Sequence, residues 1–299
     1  MSRPILPYLV LFAGVLVVST SSILIRYLQA AGVSSLSIAA WRLALAALLL
    51  TPLAWARVAP ELRTLRRRDL LLGLASGIFL AMHFASWISS LAYTSVASSV
   101  ALVSTNPLWV GLASLLIFRE RLGWRTLLGI SATLLGSVLI GLSDQVNSSA
   151  PDPTLGNLLA MVGAVTVSGY LVIGRDLRRR LSVLAYIYVV YSTAALVLVL
   201  WALLAGQQLA GFPSYVYLLL LALALGPQLL GHTAFNYALS ALSATFIAVA
   251  ILGEPIGSAL LALLIFGERF APLQLAGFVL LLAGIVIASR EATRRPVRA

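Results

Sequence analysis

The chain is dominated by ten apolar runs, at about 8–29, 37–56, 70–91, 98–118, 125–143, 156–174, 183–205, 214–237, 243–266 and 271–289. Each is close to the roughly 20 residues that cross a bilayer core as a helix. A single soluble core stops growing near about 250–300 residues, so it cannot absorb this much apolar chain. Of the 299 residues, 61% are hydrophobic and 10% charged, where a soluble domain carries roughly 25% charged. An ordinary soluble enzyme, a disordered chain and a disulfide scaffold are all excluded. Lipid offers no partner to open backbone groups, so the runs are helices. They lack barrel alternation and are about twice the length of a barrel strand. The expected fold is an all-α membrane protein of ten transmembrane helices, with no room for a soluble domain.

All twenty basic residues are Arg, and the net charge is +11. In a soluble protein that balance would suggest nucleic acid. Here it sets orientation, because basic loops stay in the cytoplasm. With the N-terminus inside, 17 of the 20 arginines face the cytoplasm, in clusters around Arg63–Arg68, Arg119–Arg125, Arg175–Arg180 and Arg290–Arg298. The reading is a multi-pass protein of the inner (cytoplasmic) membrane with both termini cytoplasmic and no nucleic-acid partner. The first run is too long for a removable signal peptide. Cys is absent, which removes disulfides, thiol catalysis and Cys-based metal sites.

The two halves resemble each other. LLIFRERL at Leu115–Leu122 returns as LLIFGERF at Leu263–Phe270, an offset of 148 that also pairs Pro107 with Pro255, Gly129 with Gly277 and Gly136 with Gly284. An offset of 149 pairs Ser19 with Ser168, Arg26 with Arg175 and His83 with His232. Five helices per half is an odd number, so the second half enters from the opposite side and the repeats are inverted. Inverted repeats belong to secondary transporters, where exchanging the halves' conformations exchanges the open face. The expected organisation is a first repeat at 1–143, a periplasmic linker at 144–155, a second repeat at 156–289 and a basic cytoplasmic tail at 290–299.

These residues resemble the drug/metabolite transporter superfamily with two EamA-type repeats. The resemblance rests on AAWRLALAALLL (39–50), Pro107 followed by FRERL (118–122), NYAL (236–239), EP (254–255) with FGER (266–269), and the paired glycines. Its nearest branch looks like the YddG-type aromatic amino-acid exporters, although VVSTSS (17–22) stands where many relatives carry a Trp-Gly motif. The resemblance implies export of small metabolites, most fittingly amino acids. Drugs or other metabolites are the alternative cargo, and a channel or an intramembrane enzyme are the rival classes. No P-loop, zinc spacing or nucleophile elbow is present, so neither catalysis nor a cofactor is expected.

Polar groups inside a membrane need an account. Ser76, Leu80, His83, Trp87 and Ser90 share one face of the third helix, and Gln228, His232 and Asn236 share one face of the eighth. Cavity lining and helix–helix hydrogen bonding both fit these stripes. Glu254 precedes Pro255, and Asn106 precedes Pro107. The two prolines are expected to bend the fourth and ninth helices as gates or hinges. Glu254 suits a substrate ammonium, a proton, or the capping of a freed backbone group. Arg42 either attracts a substrate carboxylate or snorkels to the outer interface, and Trp41 is expected in the interfacial belt. The expected substrate-lining residues are His83, Trp87, Asn106, Gln228, His232, Asn236 and Glu254. His83, His232 and Glu254 are the candidates for proton coupling.

Overall fold

A computed structural model describes residues 5–118, 123–147, 150–231, 234 and 250–292. The described elements are helical: α1 (Leu6–Ser19), α2 (Ser21–Ala30), α3 (Ser35–Arg63), α4 (Arg67–Tyr93), α5 (Val96–Val103), α6 (Asn106–Phe118), α7 (Trp124–Asn147), α8 (Pro153–Leu177), α9 (Val183–Leu204), α10 (Ser214–Leu223), α11 (Gly253–Phe266) and α12 (Pro272–Ala292). A π-helical stretch, Ala224–Gly231, continues α10. Serine and aspartate set several starts. Ser34, Ser95, Asp152 and Ser182 each accept from the backbone N–H three residues on, satisfying a donor that the first turn leaves open.

Eight spans are long and apolar enough to cross a membrane, and two shorter apolar helices, Gly253–Phe266 and Pro272–Ile287, follow. The ten-span expectation is therefore met by eight full spans among the described residues; much of its ninth run lies outside them. The helix ending the first half also runs past 143 to Asn147. Apolar side chains face outward: Leu48, Leu204, Leu264 and Val279 are among those exposed. Ser19, Ser21, Ser22, Ser76, Arg42 and Gln228 are buried. Apolar outside and polar inside is the arrangement that lipid, rather than water, selects.

The proline expectation resolves into breaks rather than smooth bends. A turn at Ser104–Thr105 separates α5 from α6, three residues before Pro107. A turn at Leu252, 148 residues later, lies three residues before Pro255. Proline lacks the N–H that would bond four residues back, so the helix loses a rung at the same place in each half.

Across the halves, packing is reciprocal. Helices α7 and α12 cross so closely that a Cβ on Gly136 would lie 2.6 Å from the Gly277 carbonyl oxygen, and one on Gly284 would lie 2.6 Å from that of Gly129. The two helices are antiparallel, and the two contacts exchange under the 148-residue offset. The hydroxyl of Ser19 lies 2.8 Å from the Val15 oxygen and 3.3 Å from that of Glu254. Its counterpart Ser168 lies 2.7 Å from the Ala164 oxygen and 3.0 Å from that of Asn106. Such a self-complementary pairing is the signature of a two-fold relation.

Polar clusters tie the helix ends. At the end near the inter-half linker, Asp144 accepts from Ser98 and Gln274 at 3.0 Å each and from Asn157 at 2.8 Å. Nearby, Glu268 accepts from the Val96 N–H at 3.0 Å and faces Arg26 at 3.5 Å. At the other end, Arg180 pairs with Asp69 and Asp176, and Glu61 accepts from Ser182.

Candidate functional site

Arg42 lies on the inward face of α3 and is 2% exposed. Its Nε donates to Gln228 Oε1 at 2.7 Å and its Nη1 to Ser21 Oγ at 2.8 Å. The guanidinium lies 4.4 Å from the centroid of the Phe84 ring and 5.8 Å from that of Trp87, which adds cation–π attraction. Snorkelling is overturned: the burial of Arg42 and its bonds to α2 and the π-helical stretch hold it in the protein interior. Trp41 is likewise tied inward, donating to the Leu209 carbonyl at 2.8 Å. It is not simply a belt residue.

A buried cation normally has an anionic partner. Arg42 and Glu254 interact electrostatically, but the ion pairs among the described residues involve neither of them. Among those residues nothing accepts from Arg42 Nη2 either. Among the described residues, the buried Trp87 indole N–H beside the guanidinium has no partner, nor has the buried hydroxyl of Ser22, next in sequence to Ser21. A buried polar group without a partner is costly, and the Trp87 indole stands beside the buried cation.

His83 stacks on Trp87, with centroids 5.9 Å apart and planes at 10°. Its Nδ1 lies 2.9 Å from the Gly163 carbonyl oxygen of α8. A carbonyl only accepts, so Nδ1 carries a proton there. His83 thus makes a helix–helix bond and also braces the aromatic wall. Gln228 joins Arg42, and Glu254 stands in the first turn of α11 within electrostatic reach. Asn106 contributes its carbonyl to the Ser168 bond instead. His232 and Asn236 lie outside the described residues. Pro107 and Pro255 follow the two helix breaks.

Sequence reasoning undervalued Arg42 and missed Ser21, Ser22, Phe84 and Tyr191. Tyr191, the repeat counterpart of Arg42, is buried. The signals were available: an arginine within a span, and a tyrosine at its repeat-equivalent position.

Polar and charged groups buried deep among apolar membrane helices mark a functional site. The EamA-like transporter family model matches residues 5–142 and again 154–290. The chain belongs to that family, within the drug/metabolite transporter superfamily, and is a membrane transporter of small molecules. A crystal structure of a protein 21% identical in sequence aligns with a TM-score of 0.65 over 98% of this chain and 99% of its own; it shares the fold. No curated protein matches the sequence significantly.

Proposed function

We propose that this chain is a secondary exporter of amino acids in the bacterial inner membrane, with both termini cytoplasmic. It works by alternating access between two inverted five-helix repeats, 1–143 and 156–289. One observation carries the substrate class: Arg42 is buried with no carboxylate within ion-pair distance among the described residues, while Glu254 stands in electrostatic reach. A zwitterion completes that arrangement. Its carboxylate takes the open Nη2 edge of Arg42, a charge-assisted contact in a water-poor site. Its ammonium faces Glu254, and its side chain lies along Phe84, Trp87 and His83. Asn106, His232 and Asn236 are the further candidates for the lining, and Gln228 acts through Arg42.

The reciprocal α7–α12 and Ser19/Ser168 contacts support the inverted repeat and a pseudo-two-fold axis. The breaks before Pro107 and Pro255 supply hinges at matched positions. A neutral zwitterion gains nothing from the membrane potential by itself. One accompanying proton gains about 2.3 kcal/mol per 100 mV, and His83, His232 and Glu254 are the candidate groups to carry it.

The test is counterflow in vesicles containing the purified protein, run with each of the twenty amino acids. At least one should exchange saturably and emerge chemically unchanged. Exchange of none, with uptake of uncharged or purely cationic compounds instead, contradicts the reading.

A further inference from the structure

Gln228 is 1% exposed. Its Oε1 accepts from Arg42 Nε at 2.7 Å, a contact that runs from the π-helical stretch to α3. The backbone beneath Gln228 is itself irregular, a π-helical Ala224–Gly231 containing Pro227. Widened turns of this kind concentrate at functional sites. Ser21 takes Nη1 from another side, and Phe84 covers one face of the guanidinium. Together these contacts determine the roll of the guanidinium plane and, among the described residues, leave Nη2 without an acceptor.

We propose that Gln228 is a positioning residue, which aims the Nη2 edge of Arg42 at the substrate's carboxylate and so sets selectivity for acids over their neutral derivatives. The proposal rests on the amino-acid reading above. The neutrality of Gln228 is part of the device. A glutamate there would supply Arg42 with its own carboxylate and compete with the substrate's.

The experiment compares the wild type with Gln228→Glu and Gln228→Leu, each first shown to be monodisperse. The probes are the amino acid that the wild type exchanges fastest and the carboxamide of that amino acid. Gln228→Glu should raise KM for the acid about tenfold or more, and Gln228→Leu about threefold. KM for the amide should stay within about twofold of wild type in both variants, with kcat little changed. Equal shifts for acid and amide, or none for either, would overturn the positioning role while leaving the amino-acid reading standing. A wild type that exchanges no amino acid removes both.

Discussion

At the scale of single residues, Arg42 decides the account. Its guanidinium is enclosed by two aromatic rings, an amide and a hydroxyl, and each is neutral. Arg42→Gln removes the charge and should lower amino-acid exchange by about 30-fold or more, the worth of a charge-assisted hydrogen bond. The initial exchange rate at sub-saturating substrate reads this directly. Arg42→Lys should not rescue it, because a point charge cannot serve Gln228, Ser21 and a substrate at once. His83 makes the opposite forecast. Its Nδ1 bond to the Gly163 oxygen can be kept by an amide nitrogen, so His83→Asn should retain the fold and a substantial share of transport. His83→Leu leaves that carbonyl unmet and should lower the melting temperature. If His83→Asn abolishes proton-driven accumulation but spares exchange, the ring is a proton carrier as well as a brace.

At the scale of helices, close approach and buried charge make separate forecasts. A methyl on Gly277 would sit 2.8 Å from the Gly136 carbonyl oxygen and 3.0 Å from the Ile140 backbone nitrogen. Backbone cannot step aside as a flexible side chain can, so Gly277→Ala should cost about 1–3 kcal/mol, read as a lowered melting temperature in detergent. Glu268 behaves differently. Burial pushes its carboxyl above the usual carboxylate range against the opposing pull of Arg26, with N–H groups at Val96 and Ala97 and the charge of Asp144 also facing it. A raised pKa means that the folded state binds the proton more tightly. Its stabilising contribution is present below the ordinary carboxylate pKa and is lost as pH rises through the folded value. Glu268→Gln should therefore melt no lower than wild type at neutral pH, and it should flatten the gain in melting temperature on acidification.

At the scale of the whole molecule, membrane class and duplication were legible in the sequence because each is a pattern repeated many times. Apolar run length recurs along the chain, and the 148-residue offset recurs in prolines, glycines and the FRER/FGER segments. The site was less legible because its geometry depends on which helices meet. His83 and Gln228 stood out as polar residues in apolar runs, but nothing local revealed that Arg42 turns inward beneath Phe84. Nor did the sequence place Gln228 against Arg42, since that contact joins different halves. The helix breaks before Pro107 and Pro255 were expected as bends because proline marks the missing rung but not how far the helix unwinds.

Alternating access requires that one interior position meet both compartments in turn. The chain has no native cysteine, so Ser22→Cys, at a buried hydroxyl next in sequence to Ser21 and without a partner among the described residues, gives a single reporter. Its labelling by a membrane-impermeant thiol reagent should be measured in right-side-out and inside-out vesicles, with and without the transported amino acid. The account predicts labelling from each side, slowed by substrate in both. Labelling from one side alone, or rates that ignore the substrate, would contradict it.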